Sequence, residues 1–316
     1  MTEKKKILIL SAIALIATLL FLFLDLGYNW EYALPKRGLK VFAIILTGAS
    51  IAFATLIFQT ITNNRILTPS ILGLDALYML IQTVLVFAFG VAHLTWMTKQ
   101  VNFVISVVLM VFFAGVLYKV LFKREGENIY FLLLIGLIFG TFFQSFSTFM
   151  QVLIDPNEFQ IIQDRMFASF NNVQTDVLYL AVAAVFLVTL YFMRFMKYLD
   201  VLSLGKDHAV NLGVDYDYIV KRLLIVVAIL ISVATALVGP ITFLGLLVVN
   251  VTYEMFRTYK HTYLLAGSIF ISIIALVGGQ LVVERVFMFS TTLSVIINFI
   301  GGVYFIYLLL KENKQW

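Results

Sequence analysis

The sequence predicts an all-α polytopic membrane protein with about ten transmembrane helices and both termini in the cytoplasm. Three observations predict it: ten long apolar stretches, a composition poor in charge, and a lopsided distribution of lysine and arginine. The stretches lie near 7–25, 41–62, 72–92, 101–121, 129–153, 176–199, 219–239, 241–256, 263–284 and 293–310. Most approach the ~20 residues that a helix needs to cross a ~30 Å hydrocarbon core. Hydrophobic residues make up 62% of the chain and charged residues 12%, about half the charged fraction of an average soluble domain. The longest polar stretches, 155–175 and 200–218, are too short to bury a core of their own, so residues 1–316 read as one transmembrane domain.

The first stretch follows Lys4, Lys5 and Lys6. A cleaved signal peptide is the competing reading, but the apolar run is long and no small-x-small site follows it near Tyr28, which favours an uncleaved anchor. If this segment leaves the cytoplasm, the inner ends carry Lys4, Lys5, Lys6, Arg65, Lys119, Lys123, Arg124, Arg194, Lys197, Lys206, Lys221, Arg222, Arg257, Lys260, Lys311 and Lys314. The outer ends carry only Lys36, Arg37, Lys40, Lys99, Arg165 and Arg285. That asymmetry is the positive-inside pattern, and it supports an even number of crossings. The weakest boundary is Gly239-Pro240, a helix breaker inside an apolar run from 219 to 256 that is too long for one crossing. Gly48 with Ala52, and Gly136 with Gly140, have the spacing that lets helix backbones approach closely.

Several function classes are excluded. With no cysteine, there is no disulfide framework, thiolate metal site or cysteine nucleophile. The net charge of +5 is concentrated at span ends and is not a nucleic-acid signal. His93, His208 and His261 lie in different end regions without ligand spacing, and H-E-x-x-H and G-x-S-x-G are absent. Asp75 lies within a turn of the third span's start, Glu254 near the inner end of the eighth and Glu284-Arg285 at the outer end of the ninth. The centres of the spans therefore read as free of carboxylates, which argues against an ion-coupled carrier. A lone Asp75 also lacks the partner an aspartyl protease requires. Gly205-Lys206-Asp207 lacks the upstream glycine and the hydroxyl of a P-loop, so the chain has no nucleotide site of that kind. A multi-span protein of this composition is passive or is driven by another subunit.

The cytoplasmic connection between the sixth and seventh spans, about 203–214, reads Ser203-Leu204-Gly205-Lys206-Asp207-His208-Ala209-Val210-Asn211-Leu212-Gly213-Val214. Ser203 is a candidate helix cap, Ala209 and Leu212 fall on one face, and Gly213 suits a left-handed stop, which together specify about two helical turns. This segment resembles the L-x-L-G-x-x-x-A-x-x-L-G coupling motif of the FecCD family, the permeases of iron-siderophore and vitamin B12 ABC importers. Gly48-Ala49 through Gln59, then Asn64, Pro69, Leu72 and Gly73, is similar to that family's G-A-x-x-x-x-x-G-x-x-x-Q and N-P-L-A-x-P-x-x-L-G. Gly239-Pro240-Ile241-Thr242-Phe243-Leu244-Gly245-Leu246 resembles its G-x-I-x-F-[IV]-G-L, and Ile300-Gly301-Gly302-Val303-Tyr304-Phe305 its L-G-x-P-x-F. The likeness runs from about residue 36 to the end. Arg65, Val249-Asn250 and Val303 depart from the pattern and suggest a divergent branch.

The resemblance implies the fold of the vitamin B12 importer permease and a subunit that imports a ferric siderophore, with cobalamin or haem as the alternative cargo and an ion-coupled carrier as a more distant one. It implies a bacterial plasma (inner) membrane location. The expected partners are a second permease subunit, as a heterodimer rather than a homodimer, two ATPase subunits, and an extracytoplasmic solute-binding protein or lipoprotein. ATP and Mg²⁺ would belong to the partner ATPase, with no cofactor on this chain. Ser203, Leu204, Gly205, Ala209, Leu212 and Gly213 would receive the ATPase, and Arg37, Lys40 and Arg285 the binding protein. The external mouth segment, about 155–173, contains Asp164, Arg165, Met166 and Phe167, which with Gly239, Pro240, Phe243 and Gly245 would form the path or its gate.

Overall fold

The computed structural model describes residues 2–24, 30–90, 98–121, 129–171, 173 and 175–312. His93, Lys123, Arg124 and Lys314 lie outside the described residues. The described chain is helical: α1 Glu3–Phe23, α2 Trp30–Thr62, a 3₁₀ turn Pro69–Leu72, α3 Leu74–Phe89, α4 Lys99–Leu121, α5 Ile129–Leu153, α6 Pro156–Met166, α7 Thr175–Phe192, α8 Met196–Leu202, α9 Lys206–Asn211, α10 Tyr216–Val238, α11 Leu244–Met255, α12 His261–Arg285 and α13 Leu293–Glu312.

Eight of these, α1, α2, α4, α5, α7, α10, α12 and α13, contain stretches apolar and long enough to cross a membrane, while α3 and α11 are apolar but shorter. The ten expected segments are all present, with shifted ends. The second is a 33-residue helix that runs through Pro35 and absorbs Lys36, Arg37 and Lys40; Pro35, in its second turn, forgoes the single bond that its N–H would have made to the Glu31 carbonyl. The sixth is cut short: helix α7 ends at Phe192, and a tight turn through Phe195 starts α8.

Helix α2 is the axis of the bundle. It packs on α10, α11, α12 and α1, and between Thr47 and Thr62 every residue but Ala49 is buried. Small residues permit this closeness. A Cβ on Gly48 would stand 2.6 Å from Ser272 Oγ of α12, and one on Gly245 of α11 would overlap Thr55 Oγ1 of α2. Such packing supplies the association energy that the hydrophobic effect cannot supply within lipid.

Two sets of contacts define the ends of the bundle. At the inner end, Thr60 Oγ1 meets His261 Nε2 at 2.9 Å and Lys6 Nζ donates to the Met255 carbonyl. At the outer end, Lys40 Nζ meets Glu284 Oε1 at 2.6 Å and Arg37 donates to carbonyls at the end of α1. The alternation inferred from charge is therefore the alternation of the fold.

Gly136 and Gly140 of α5 pack against irregular chain rather than another helix. A Cβ on Gly136 would lie 2.8 Å from Leu72 Cα, and one on Gly73, whose φ is +76°, would lie 2.9 Å from Gly140 Cα. The 3₁₀ turn and the start of α3 thus nest in a groove that only glycines leave open.

Gly245→Ala is expected to destabilise the purified protein by about 1–3 kcal/mol through overpacking, read as a lower melting temperature. Adding Thr55→Ala in the same chain should recover part of the loss, because it removes the overlapped hydroxyl.

Candidate functional site

At the inner end, the 203–214 segment forms a compact elbow between α8 and α10. Its helix, α9, starts from Gly205 at φ +94° and is followed by Gly213 at φ +80°, conformations that favour glycine at both places. Ser203 does not cap α9. It is the C-cap residue of α8, and its Oγ donates to the Asp200 carbonyl at 2.7 Å, because the left-handed Gly205 intervenes and turns the chain away. Nor do Ala209 and Leu212 share an environment. Ala209 is wholly buried, whereas Leu204, Val210 and Leu212 are exposed by 56%, 50% and 63%. The chain turns out of the helix at Leu212, so i, i+3 spacing no longer keeps the two side chains together.

Beside this elbow, His261 joins three helices. Asp200 Oδ1 accepts from the His261 backbone N–H at 2.8 Å and lies 2.7 Å from its Nδ1, and Nε2 meets Thr60. This network ties the ends of α2, α8 and α12, giving the elbow a fixed base. Two departures from the family pattern also meet here. The Arg65 carbonyl accepts from Asn250 Nδ2 at 2.8 Å and from Gln59 Nε2 at 2.7 Å, while its guanidinium stacks on Tyr253, 4.6 Å from the ring centre. Arg65 and Asn250 thus form a local joint where the usual motif has proline and histidine.

At the outer end, Asp155 caps α6 by accepting from the Asn157 N–H at 2.9 Å, with Pro156 at the first helical position, a strong start signal. The mouth segment is not a plain surface loop. Ile162, Ala168 and Phe170 are buried, the Ser169 N–H donates to the Val238 carbonyl at 2.9 Å, and a Cβ on Gly239 (φ +100°) would lie 3.0 Å from Ala168 Cα. The structure therefore brings Met166 and Phe167 into the neighbourhood of Gly239 and Pro240. Phe243 faces α13, where a Cβ on Gly301 would collide with it and Phe305 lies 6.1 Å away, ring to ring. Gly245 serves the contact with α2 and stands apart from the mouth.

Arg165 turns inward, and its guanidinium donates to Gln82 Oε1 of α3. Burial pulls this guanidinium below its ordinary range. Asp164 stays exposed. The Gln82 amide in turn donates to Asn102 Oδ1 at 3.1 Å and Ser106 Oγ at 2.9 Å. Sequence reasoning missed this network, although Gln82, Asn102 and Ser106 are polar breaks in otherwise apolar stretches and that was the available signal.

Arg37, Lys40 and Arg285 gather at the same outer rim. Arg37 donates to the carbonyls of Phe21, Leu22 and Leu24, and Arg285 to that of Leu24. These basic groups occupy the place where helix α1 leaves carbonyls unsatisfied. Lys40 is paired with Glu284, both side chains are little exposed, and Gln280 Nε2 also donates to Glu284 at 2.9 Å.

Asp75 corrects the expectation that no carboxylate sits at mid-span. It accepts from Thr235 Oγ1 at 3.3 Å and Thr242 Oγ1 at 3.4 Å, beside a void of about 10 Å³ that Ile51 also lines. Ile51 lies midway along α2 between Lys40 at the outer rim and Thr62 at the inner end, about 16 Å from each. Sequence placed Asp75 at a span's start, but α3 starts near mid-depth because residues 63–73 fill the inner half. The void holds about one water, and the carboxylate joins α3 to both sides of the 239–243 turn.

A bundle of apolar helices with two interrupted segments, an elbow at one end and a short docked helix at the other has the architecture of a membrane permease. The chain belongs to the FecCD transport family, whose profile matches residues 14–311. It is 67% identical over 316 residues, the whole of both chains, to the petrobactin import system permease protein YclO of Bacillus subtilis. It is 38% identical over 278 residues, covering 88% of this chain and 78% of the relative, to the petrobactin import system permease protein FatC of Bacillus anthracis. A solved structure described as an inward-facing conformation of a metal-chelate type ABC transporter superposes with a TM-score of 0.83 at 19% identity, covering 98% of this chain and all of that one. At that identity the likeness speaks to fold.

Lys40→Met is expected to lower stability by about 1–3 kcal/mol, since it leaves a little-exposed carboxylate without its cation. Lys40→Met with Glu284→Gln should melt closer to the parent protein, as measured by thermal unfolding in detergent.

Proposed function

We propose that this chain is the membrane-spanning subunit of an ATP-driven importer of a ferric siderophore. The single observation that carries the reading is the 67% identity, end to end, with a permease named for petrobactin import. Petrobactin or a close chemical relative is therefore the first cargo to test, ahead of cobalamin or haem. The work is done by partners: two ATPase subunits under the elbow, a second permease, and a binding protein that delivers cargo at the outer rim. A second permease of different sequence is favoured, because the divergent Arg65–Asn250 joint fits a specialised half of a pair.

The geometry supports this division of labour. Leu204, Val210 and Leu212 present exposed apolar side chains on a rigid elbow at the cytoplasmic end, a surface suited to a protein groove. The Asp200–His261–Thr60 network would carry a push on that elbow into α2 and α12. At the rim, Arg37, Lys40 and Arg285 gather at one end of the bundle, and we assign steering of an acidic binding protein to this basic cluster. Rim charges chiefly steer encounter. Mid-depth Asp75 supports no ion-coupled alternative, because hydroxyl donors enclose it beside a void of about 10 Å³. We assign Gly239, Pro240 and Phe243 to the path, gated by the mouth segment docked on them.

The test is uptake of ⁵⁵Fe-petrobactin by cells lacking their own route and given this chain with its genomic partners. Leu212→Asp should reach the membrane normally yet lose ATPase binding in pull-down and at least tenfold of uptake. Ala209→Asp should instead reduce the amount of folded protein, since Ala209 is buried. Normal uptake with Leu212→Asp would overturn the coupling assignment, and absence of ATP-dependent uptake of any iron chelate would overturn the transport reading.

A further inference from the structure

Behind the mouth helix lies a second feature that the family pattern does not describe. An open cavity of about 290 Å³ lies between α3, α4, α6, α7, α10 and the segment after α6, and Tyr78, Lys99, Asn102, Asp164, Arg165 and Ser169 supply its polar wall. Two cations face one carboxylate there, so the lining carries a net positive charge. Lys99 and Asp164 are exposed, while Arg165 is partly buried.

The Arg165 head group is held by a neutral partner. Gln82, wholly buried, turns its oxygen to the guanidinium because its own N–H groups are engaged by Asn102 and Ser106. Among the described residues, no carboxylate lies within ion-pairing range of Arg165 or Lys99. A guanidinium has five N–H donors in a planar fork, and among the described residues its one hydrogen-bond acceptor is Gln82. A partly buried cation with spare donors aimed at a cavity is favourably completed by an anion. An oxyanion would accept two parallel bonds from the fork.

We propose that this cavity is an oxyanion site, in which Arg165 binds a carboxylate or phosphate in bidentate fashion and Lys99 adds a second charge. Two sources have this chemistry: a small polycarboxylate of the kind that chelates ferric iron, and the phosphate of an outer-leaflet lipid headgroup. The former deepens the transport reading and rests on it. The latter would make the mouth helix sensitive to the surrounding membrane.

The experiment uses the purified full-length chain and reads binding, not uptake, so its failure is distinct from failure of the transport reading. In one arm, citrate is titrated against the protein in nanodiscs of phosphatidylcholine, with succinamide as the neutral control. In the other, melting temperatures are compared in nanodiscs of phosphatidylglycerol and phosphatidylcholine. Each arm is run on wild type and on Arg165→Gln, with Lys99→Gln as a second variant on an exposed residue whose folding is not at risk. Citrate affinity reduced at least tenfold by Arg165→Gln, and reduced less by Lys99→Gln, would establish the carboxylate source. Stabilisation by phosphatidylglycerol that either variant abolishes would establish the lipid source. Equal responses of wild type and Lys99→Gln in both arms, with Arg165→Gln equal or unfolded, would overturn the proposal.

Discussion

Backbone that leaves helical geometry inside a bilayer has no water to satisfy it, so it must be buried in protein and find partners there. Among the described residues, two breaks fall between apolar helices inside the bundle, at residues 63–73 before α3 and at 239–243 before α11, and most of what is distinctive in the structure follows from housing them. The first lies in a groove made by Gly136 and Gly140; the second is covered from outside by Ala168 and Ser169. Asp75 links them through Thr235 and Thr242. A carboxylate at such depth is costly in isolation, and here the hydroxyls that surround it make it a joint between broken elements.

The two breaks give the bundle its mechanical character. Helices that end at mid-depth can be displaced without dragging a whole crossing, while α2 runs uninterrupted through the centre and keeps register with α12 at both ends, through Thr60 with His261 and Lys40 with Glu284. The elbow beneath is tied to the same pair by Asp200. In the coupling proposed above, a push at Leu212 would reach the helices that flank the breaks through this network. The mouth segment, seated on Gly239, lies at the far end of that route.

Helix number, the orientation of the ends and the family were legible in the sequence, since they depend on local run length, on charge at span ends and on ordered motifs. Gly213 and Gly239 were legible as a stop and a breaker, and both adopt the positive φ that glycine permits; Gly205 does so too, where the sequence reads as helix following a Ser203 cap. Other features were not. Ala209 and Leu212 looked alike by spacing but have opposite burial, because the helix ends before the second of them. Lys40 and Arg37 looked alike as rim cations, yet Lys40 meets Glu284, 244 residues away in sequence, while Arg37 reaches the carbonyls at the end of α1. The depth of Asp75 was misread, since position within a helix was taken for position within the membrane.

What the sequence determined by itself is how many segments enter lipid and which way they face, because hydropathy and charge act on each segment independently of its neighbours. Only the tertiary structure decided which polar groups meet: Arg165 with Gln82, Asp200 with His261, Arg65 with Asn250. Those meetings depend on contacts between segments distant in the chain, and in lipid, where apolar surface gains nothing by being hidden, shape and hydrogen bonding choose the neighbours.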